Sequence, residues 1–249
     1  MEWEAPALVL SAAPYGESSA IVHLLTEEHG LFHGLSRGGT ARAGRALWQP
    51  GNLVRAVWRG RLPEQLGNLS GELVHGSAAR VMSAPLALAM LASVCAVADG
   101  SLPEREPHPR IFHLLTRFFA LISLDPDMAA WNGMAALLRW EACLLSDLGY
   151  GLDLSACAVT GATEGLAWVS PRTGRAVSDA GAGTWRPRLL RLPPLFMDET
   201  DPGTSIDWQD GLRLTGYFLA RDAFGQHHRP LPAARLRLVD MIGALATTA

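Results

Sequence analysis

Short apolar runs bounded by turn residues fill the first 75 residues, and the pattern shifts to a helical period after about residue 79. Apolar runs at 5–13 and 19–26 flank a turn, Pro14-Tyr15-Gly16-Glu17-Ser18, and a third run, 30–36, begins on a glycine after Glu27-Glu28-His29. Within 52–62, Leu53, Arg55, Val57 and Arg59 alternate with Val54, Ala56 and Trp58, and 65–75 completes the set. That phase sets the arginines on one face of the strand and turns Trp58 inward. Five short strands in so few residues predict an OB-fold barrel rather than an immunoglobulin-type sandwich, which needs about seven.

Pro85 suits the first turn of a helix that runs to Gly100. A proline-punctuated connector (102–109) leads to a second helix at 111–124. Asp125-Pro126 reads as an N-cap and first-turn pair for a third, in which Met134, Leu137, Leu138, Glu141, Leu144, Leu145 and Leu148 follow three-and-four spacing. Residues 151–205 lose this period, with Trp168-Val169 in a short turn-bounded strand, and helical spacing returns at 207–224 and 232–246. The expected architecture is α+β. It has an OB-fold domain at 1–78 and a helical domain at 79–249, the latter carrying an irregular insert at about 151–205.

Composition narrows the class. With 49% hydrophobic and 18% charged residues, the 249-residue chain has enough apolar surface to fold, which excludes wholesale disorder. Three cysteines are too few for a disulfide framework, and the acidic start MEWEAP does not suit a signal peptide, so a cytoplasmic setting is expected. The uncharged stretch 81–98 contains serine and proline and is mostly alanine-sized, a buried helix rather than a membrane span.

Net charge is only −3, but its distribution is uneven. Every one of the 21 basic residues is arginine. Residues 1–35 hold five acids and no arginine, whereas residues 36–61 hold six arginines and no acid: Arg37, Arg42, Arg45, Arg55, Arg59 and Arg61. The remaining residues, with fifteen arginines against nineteen acids, show no comparable block. Guanidinium forks suit phosphates, and indoles stack on unpaired bases, so the window with Trp48 points to single-stranded nucleic acid.

Enzyme signals are weak. There is no GxxxxGKS/T run, no GxGxxG, no GxSxG and no HExxH, and the glycine-rich stretch at 34–39 reads as an inter-strand loop. His227-His228 has no nearby Cys or His and reads as a polar helix end before Pro230. Cys95 and Cys143 lie in apolar helical patterns and suit a core. Cys157 stands where a zinc knuckle would need a second cysteine at position 160; Thr160 is there instead, and no CxxC follows between 165 and 185. No metal is therefore expected.

Several stretches carry a family likeness. In the N-terminal half they are 12–19 (AAPYGESS), 24–30 (LLTEEHG), 36–39 (SRGG) and 47–53 (LWQPGNL). Further on come Arg139-Trp140-Glu141, the run 148–161 (LGYGLDLSACAVTG) and 229–235 (RPLPAAR). Together, in this order, they resemble the bacterial RecO family of DNA repair proteins, which are recombination mediators. The resemblance spans nearly the whole chain. It implies an N-terminal OB-fold, a helical second domain with a zinc-ribbon-like insert, and cofactor-free annealing of complementary single strands in homologous recombination and repair.

It also implies single- and double-stranded DNA, RecR and the C-terminal tail of the single-strand-binding protein as partners, with no membrane, in a nucleoid-associated cytoplasmic setting. Some members hold zinc through four cysteines; only Cys157 stands here, so the ribbon is expected to be degenerate. The basic surface carries over to the six arginines of the window. Two other classes remain to be weighed: an RNA-binding OB-fold module in RNA maturation or translation, and a metal-dependent hydrolase using His227 and His228.

Overall fold

The first strand starts earlier than its apolar run. In a computed structural model of the chain, which describes residues 1–62 and 65–248, β1 covers Glu2–Tyr15. Trp3, Ala5, Ala7 and Val9 are buried while Glu2 and Glu4 face out, so the period of two extends through the acidic start. β2 (Ser19–Thr26) and β3 (Gly30–Ser36) follow, then a short helix α1 (Arg42–Leu47), β4 (Leu53–Arg59) and β5 (Gly67–His75). The strands pair in the order β1-β2-β3-β5-β4, and β4 returns to β1 to close the sheet.

Closure depends on the packing of Trp58. Its indole is fully buried and donates from Nε1 to the His33 carbonyl at 3.2 Å. Trp3 stacks on it at 6.3 Å between centroids, and Phe32 meets it edge-on at 5.1 Å. β3 and β5 touch only at two parallel pairs, Gly34 with Gly67 and Leu35 with Asn68. A Cβ on Gly67 would lie 2.3 Å from the Trp58 ring, so a bare backbone lets the strands meet above the indole.

Three helices complete the first unit: α2 (Ser77–Val81), α3 (Pro85–Ser101) and α4 (Pro109–Leu124). Pro85 occupies the first turn of α3, as the sequence predicts. Cys95 on α3 donates to the Val9 carbonyl at 3.8 Å, and Leu91 fills the space over Gly51. Histidine–carboxylate pairs join the sheet to the segment 99–113: His23 with Asp99 at 2.6 Å, His33 with Glu104 at 3.1 Å and Glu27 with His113 at 3.0 Å. By contact the chain therefore divides into Met1–Ala129 and Ala130–Ala249. The change of period near Ala79 marks where strands give way to helices, which is a different boundary from where packing changes partner.

At the end of the first unit, Asp125 caps the turn Pro126–Met128, its carboxylate accepting from the Met128 N–H at 3.3 Å, and α5 (Ala129–Asp147) leads into the second. The stretch at 151–205 contains β6 (Leu166–Val169), β7 (Ala176–Ser178), the turn-length α6 (Asp179–Ala182) and β8 (Leu190–Arg191), forming a sheet of order β7-β6-β8. Next comes α7 (Ser205–Phe218), opened by a capping box between Thr204 and Asp207, and then α8 (Ala233–Thr248).

Glu141 of α5, placed by its spacing on the apolar face, is buried there against Arg235 of α8. The two form a forked pair at 2.8 and 2.9 Å, and Thr215 completes it. Among the described residues, no helix is long and apolar enough to cross a membrane.

Candidate nucleic-acid interface

The alternation that buries Val54, Ala56 and Trp58 carries Arg55 and Arg59 to the outer face of β4, each with about two-thirds of its side chain exposed at 64%. Gly38, at φ 73°, turns the chain after β3 and leaves Arg37 exposed. Arg37 and Arg59 then open into one groove of about 440 Å³, with Val57, Asn68 and Ser70 among its other lining residues. Arg55 lines a neighbouring groove with Glu4 and Glu72. Arg42 and Arg45 lie three residues apart on the exposed α1. Arg45 lines a third groove with Thr40 and Gln49. Arg61 is exposed just beyond β4.

Two expectations are corrected by this geometry. Trp48 offers no surface for stacking: it is 2% exposed and its Nε1 donates to Ser36 Oγ at 2.8 Å. Its role is to anchor α1 against the barrel core. The arginine window is also less isolated in space than in sequence, because antiparallel pairing of β1 with β4 sets Glu2 opposite Arg59. Glu2 bridges Arg59 at 2.7 Å and Glu4 approaches Arg55 at 3.8 Å. The Arg59 hydrogen bond holds the Glu2 carboxyl below its usual range, and the same bond raises Arg59. Both partners are exposed, so an incoming phosphate can displace the carboxylate at little cost.

The donor chemistry around Cys157 bears on metal binding. Cys157 is buried, and its Sγ accepts from the backbone N–H groups of Val159, Thr160 and Ser178 and from the Ser178 hydroxyl, at 3.2–3.4 Å. Burial raises the thiol pKa, but the donors from Ser178 and Thr160 outweigh it and bring it down to about 6. The neighbours are neutral hydroxyls, so the set does not suit zinc, which needs further thiolates or imidazoles. Among the described residues, no group of three or more His, Cys, Asp or Glu is arranged to hold a metal. His227 ends a short 3-10 turn and His228 takes a left-handed φ of 53°, the polar terminus expected of this pair.

One basic face escaped the sequence reading. Residues 165–197 contain five arginines and a single acid, Asp179, a block masked by counting the whole remainder of the chain together. Arg186 and Arg191 lie over the Trp168 ring at 5.5 and 4.7 Å, and Arg188 lies over Trp185 at 5.5 Å.

Known proteins place the whole chain. Residues 1–77 match the family model described as Recombination protein O N terminal, and residues 82–230 match Recombination protein O C terminal. The chain is similar to proteins named DNA repair protein RecO. It is 86% identical to that of Gluconacetobacter diazotrophicus over 245 residues, covering 98% of this chain and 96% of the relative. Against that of Granulibacter bethesdensis, the identity is 52% over 249 residues, covering 100% and 98% of the two chains. Against that of Acidiphilium cryptum it is 55% over 245 residues, covering 97% and 96%. With both segments matched in order and near-complete coverage of these relatives, the chain belongs to the Recombination protein O family of DNA repair proteins.

Proposed function

We propose that the chain binds single-stranded DNA on the outer face of an OB-type barrel and promotes annealing of complementary strands, acting as a recombination mediator without covalent chemistry. The observation that carries this reading is the groove shared by Arg37 and Arg59. Two exposed guanidinium groups at one groove suit successive phosphates, and neutralising phosphates lowers the repulsion between two approaching strands. The indoles near the window, Trp48 and Trp58, are buried. Strands held there by their backbones keep their bases unstacked from protein and free to pair.

The closed five-stranded order with a short parallel β3–β5 contact supports the OB assignment. The division at 1–78 and 79–249 follows the family segments more closely than it follows packing. The insert reads as a zinc-ribbon-like module in which hydrogen bonds to Cys157 stand where an ion would sit. RecR and the tail of the single-strand-binding protein, together with duplex DNA as product, are the partners this role requires.

Annealing of complementary oligonucleotides by the purified protein, with no nucleotide or metal added, tests the reading. Acceleration over the protein-free rate is expected, and it should be larger for DNA than for RNA of the same sequence. No acceleration would overturn the proposal, and a preference for RNA would favour a role in RNA maturation instead.

A further inference from the structure

The insert carries an open aromatic ring set among arginines. Trp185 is 61% exposed, although the other tryptophan of the insert, Trp168, is partly buried and donates to Asp179 at 3.0 Å. Beside Trp185 lies a groove of about 380 Å³ whose walls include Val159, Pro171 and Leu189, with Arg172 and Arg188 also lining it. Neither of these two arginines has a carboxylate within bridging distance among the described residues, whereas Arg175 pairs with Asp153 and Arg186 with Asp179. The wall at Pro171 is fixed from behind, because Arg221 donates to the Pro171 and Arg172 carbonyls.

We infer that this face of the insert is a second contact for single-stranded DNA, in which one base enters the groove beside Trp185 and Arg172 and Arg188 meet the flanking phosphates. The inference rests on the single-strand reading above and adds to it a contact of a different kind. The arginines of the barrel offer charge alone, so their contribution falls steeply with salt. An exposed indole already lined by a guanidinium plane offers a π-face, and stacking depends little on salt or sequence. A single strand presents that combination, a flat base between two phosphates. An acidic peptide with an apolar end would also satisfy the arginines and the groove, but it lacks a flat ring held between two flanking charges, so it is the alternative occupant.

The test uses the full chain and two probes of equal length, oligo-dT and an abasic strand, titrated at several salt concentrations. Trp185→Ala should weaken oligo-dT binding by about fivefold or more at every salt, leaving the abasic affinity and the salt slope unchanged; Trp185→Phe should restore most of the loss. Arg172→Gln with Arg188→Gln should instead flatten the log-affinity against log-salt slope by about 1.4 for both probes.

If the parent binds oligo-dT and all of these variants bind both probes as it does, this inference is overturned while the barrel reading stands. It is overturned equally if the variants lose only affinity for a synthetic peptide of acidic residues ending in phenylalanine. If the parent binds neither probe, the single-strand reading itself fails and takes this one with it.

Discussion

His23 lies on β2 with its Nδ1 2.6 Å from Asp99, and the His33 ring stands 5.6 Å away. The Asp99 hydrogen bond raises the His23 pKa above its usual 6.5 and burial only partly opposes it, so the protonated form favours the folded state. A group raised on folding contributes stability fully below its unfolded pKa and loses it as pH climbs through the folded value. Thermal stability should therefore fall as pH rises from about 6 through the raised His23 value, and His23→Gln should flatten that part of the profile. Melting curves across the range check this; a variant with the parent's slope would assign the dependence to another group. At the same scale, Trp58 was legible because strict alternation fixes its side of the strand. The bridges from Glu2 and Glu4 to Arg59 and Arg55 were not, since more than fifty positions of sequence separate the partners and only strand register joins them.

Among the elements, those with strong local signals were readable. Pro85 and Asp125 mark helix starts by fixed φ and by side-chain capping, both local effects. The strand run 52–62 ends sooner than its pattern, at Arg59, and the Trp58 ring lies over Gly60 just beyond it, where a Cβ would sit 2.4 Å from the indole. The helix α1 has no side-chain cap and only six residues, so it owes its form to tertiary contacts such as the anchored Trp48. The insert also kept its core out of view: Cys157, Val177 and Ala182 cluster across turns that show no period. That cluster makes a prediction. The purified protein should contain no stoichiometric zinc and should melt at the same temperature with and without a chelator, because hydrogen bonds rather than metal hold Cys157. About one tightly held zinc per chain, or unfolding on chelation, would contradict it.

For the whole molecule, a net charge of −3 conceals two arginine-rich stretches, one around the barrel and one in the insert. A mildly acidic protein can thus attract a polyanion locally while the rest of its surface repels one. The six arginines of the window do not act as one patch: Arg37 and Arg59 share a groove, Arg45 lines another, and Arg55 faces two acids. Sequence revealed the charge block, and only the fold shows how it is divided.

The salt dependence of single-strand binding counts phosphate contacts, about 0.7 in slope for each. We expect Arg37→Gln with Arg59→Gln to flatten the slope by about 1.4 and to slow annealing in parallel, with melting temperature unchanged. Arg110→Gln with Arg117→Gln, an equal loss of charge on the exposed side of α4, should leave the slope as it is. A groove pair that binds like the parent at every salt, or a control pair that flattens the slope equally, would contradict the assignment of this groove to DNA.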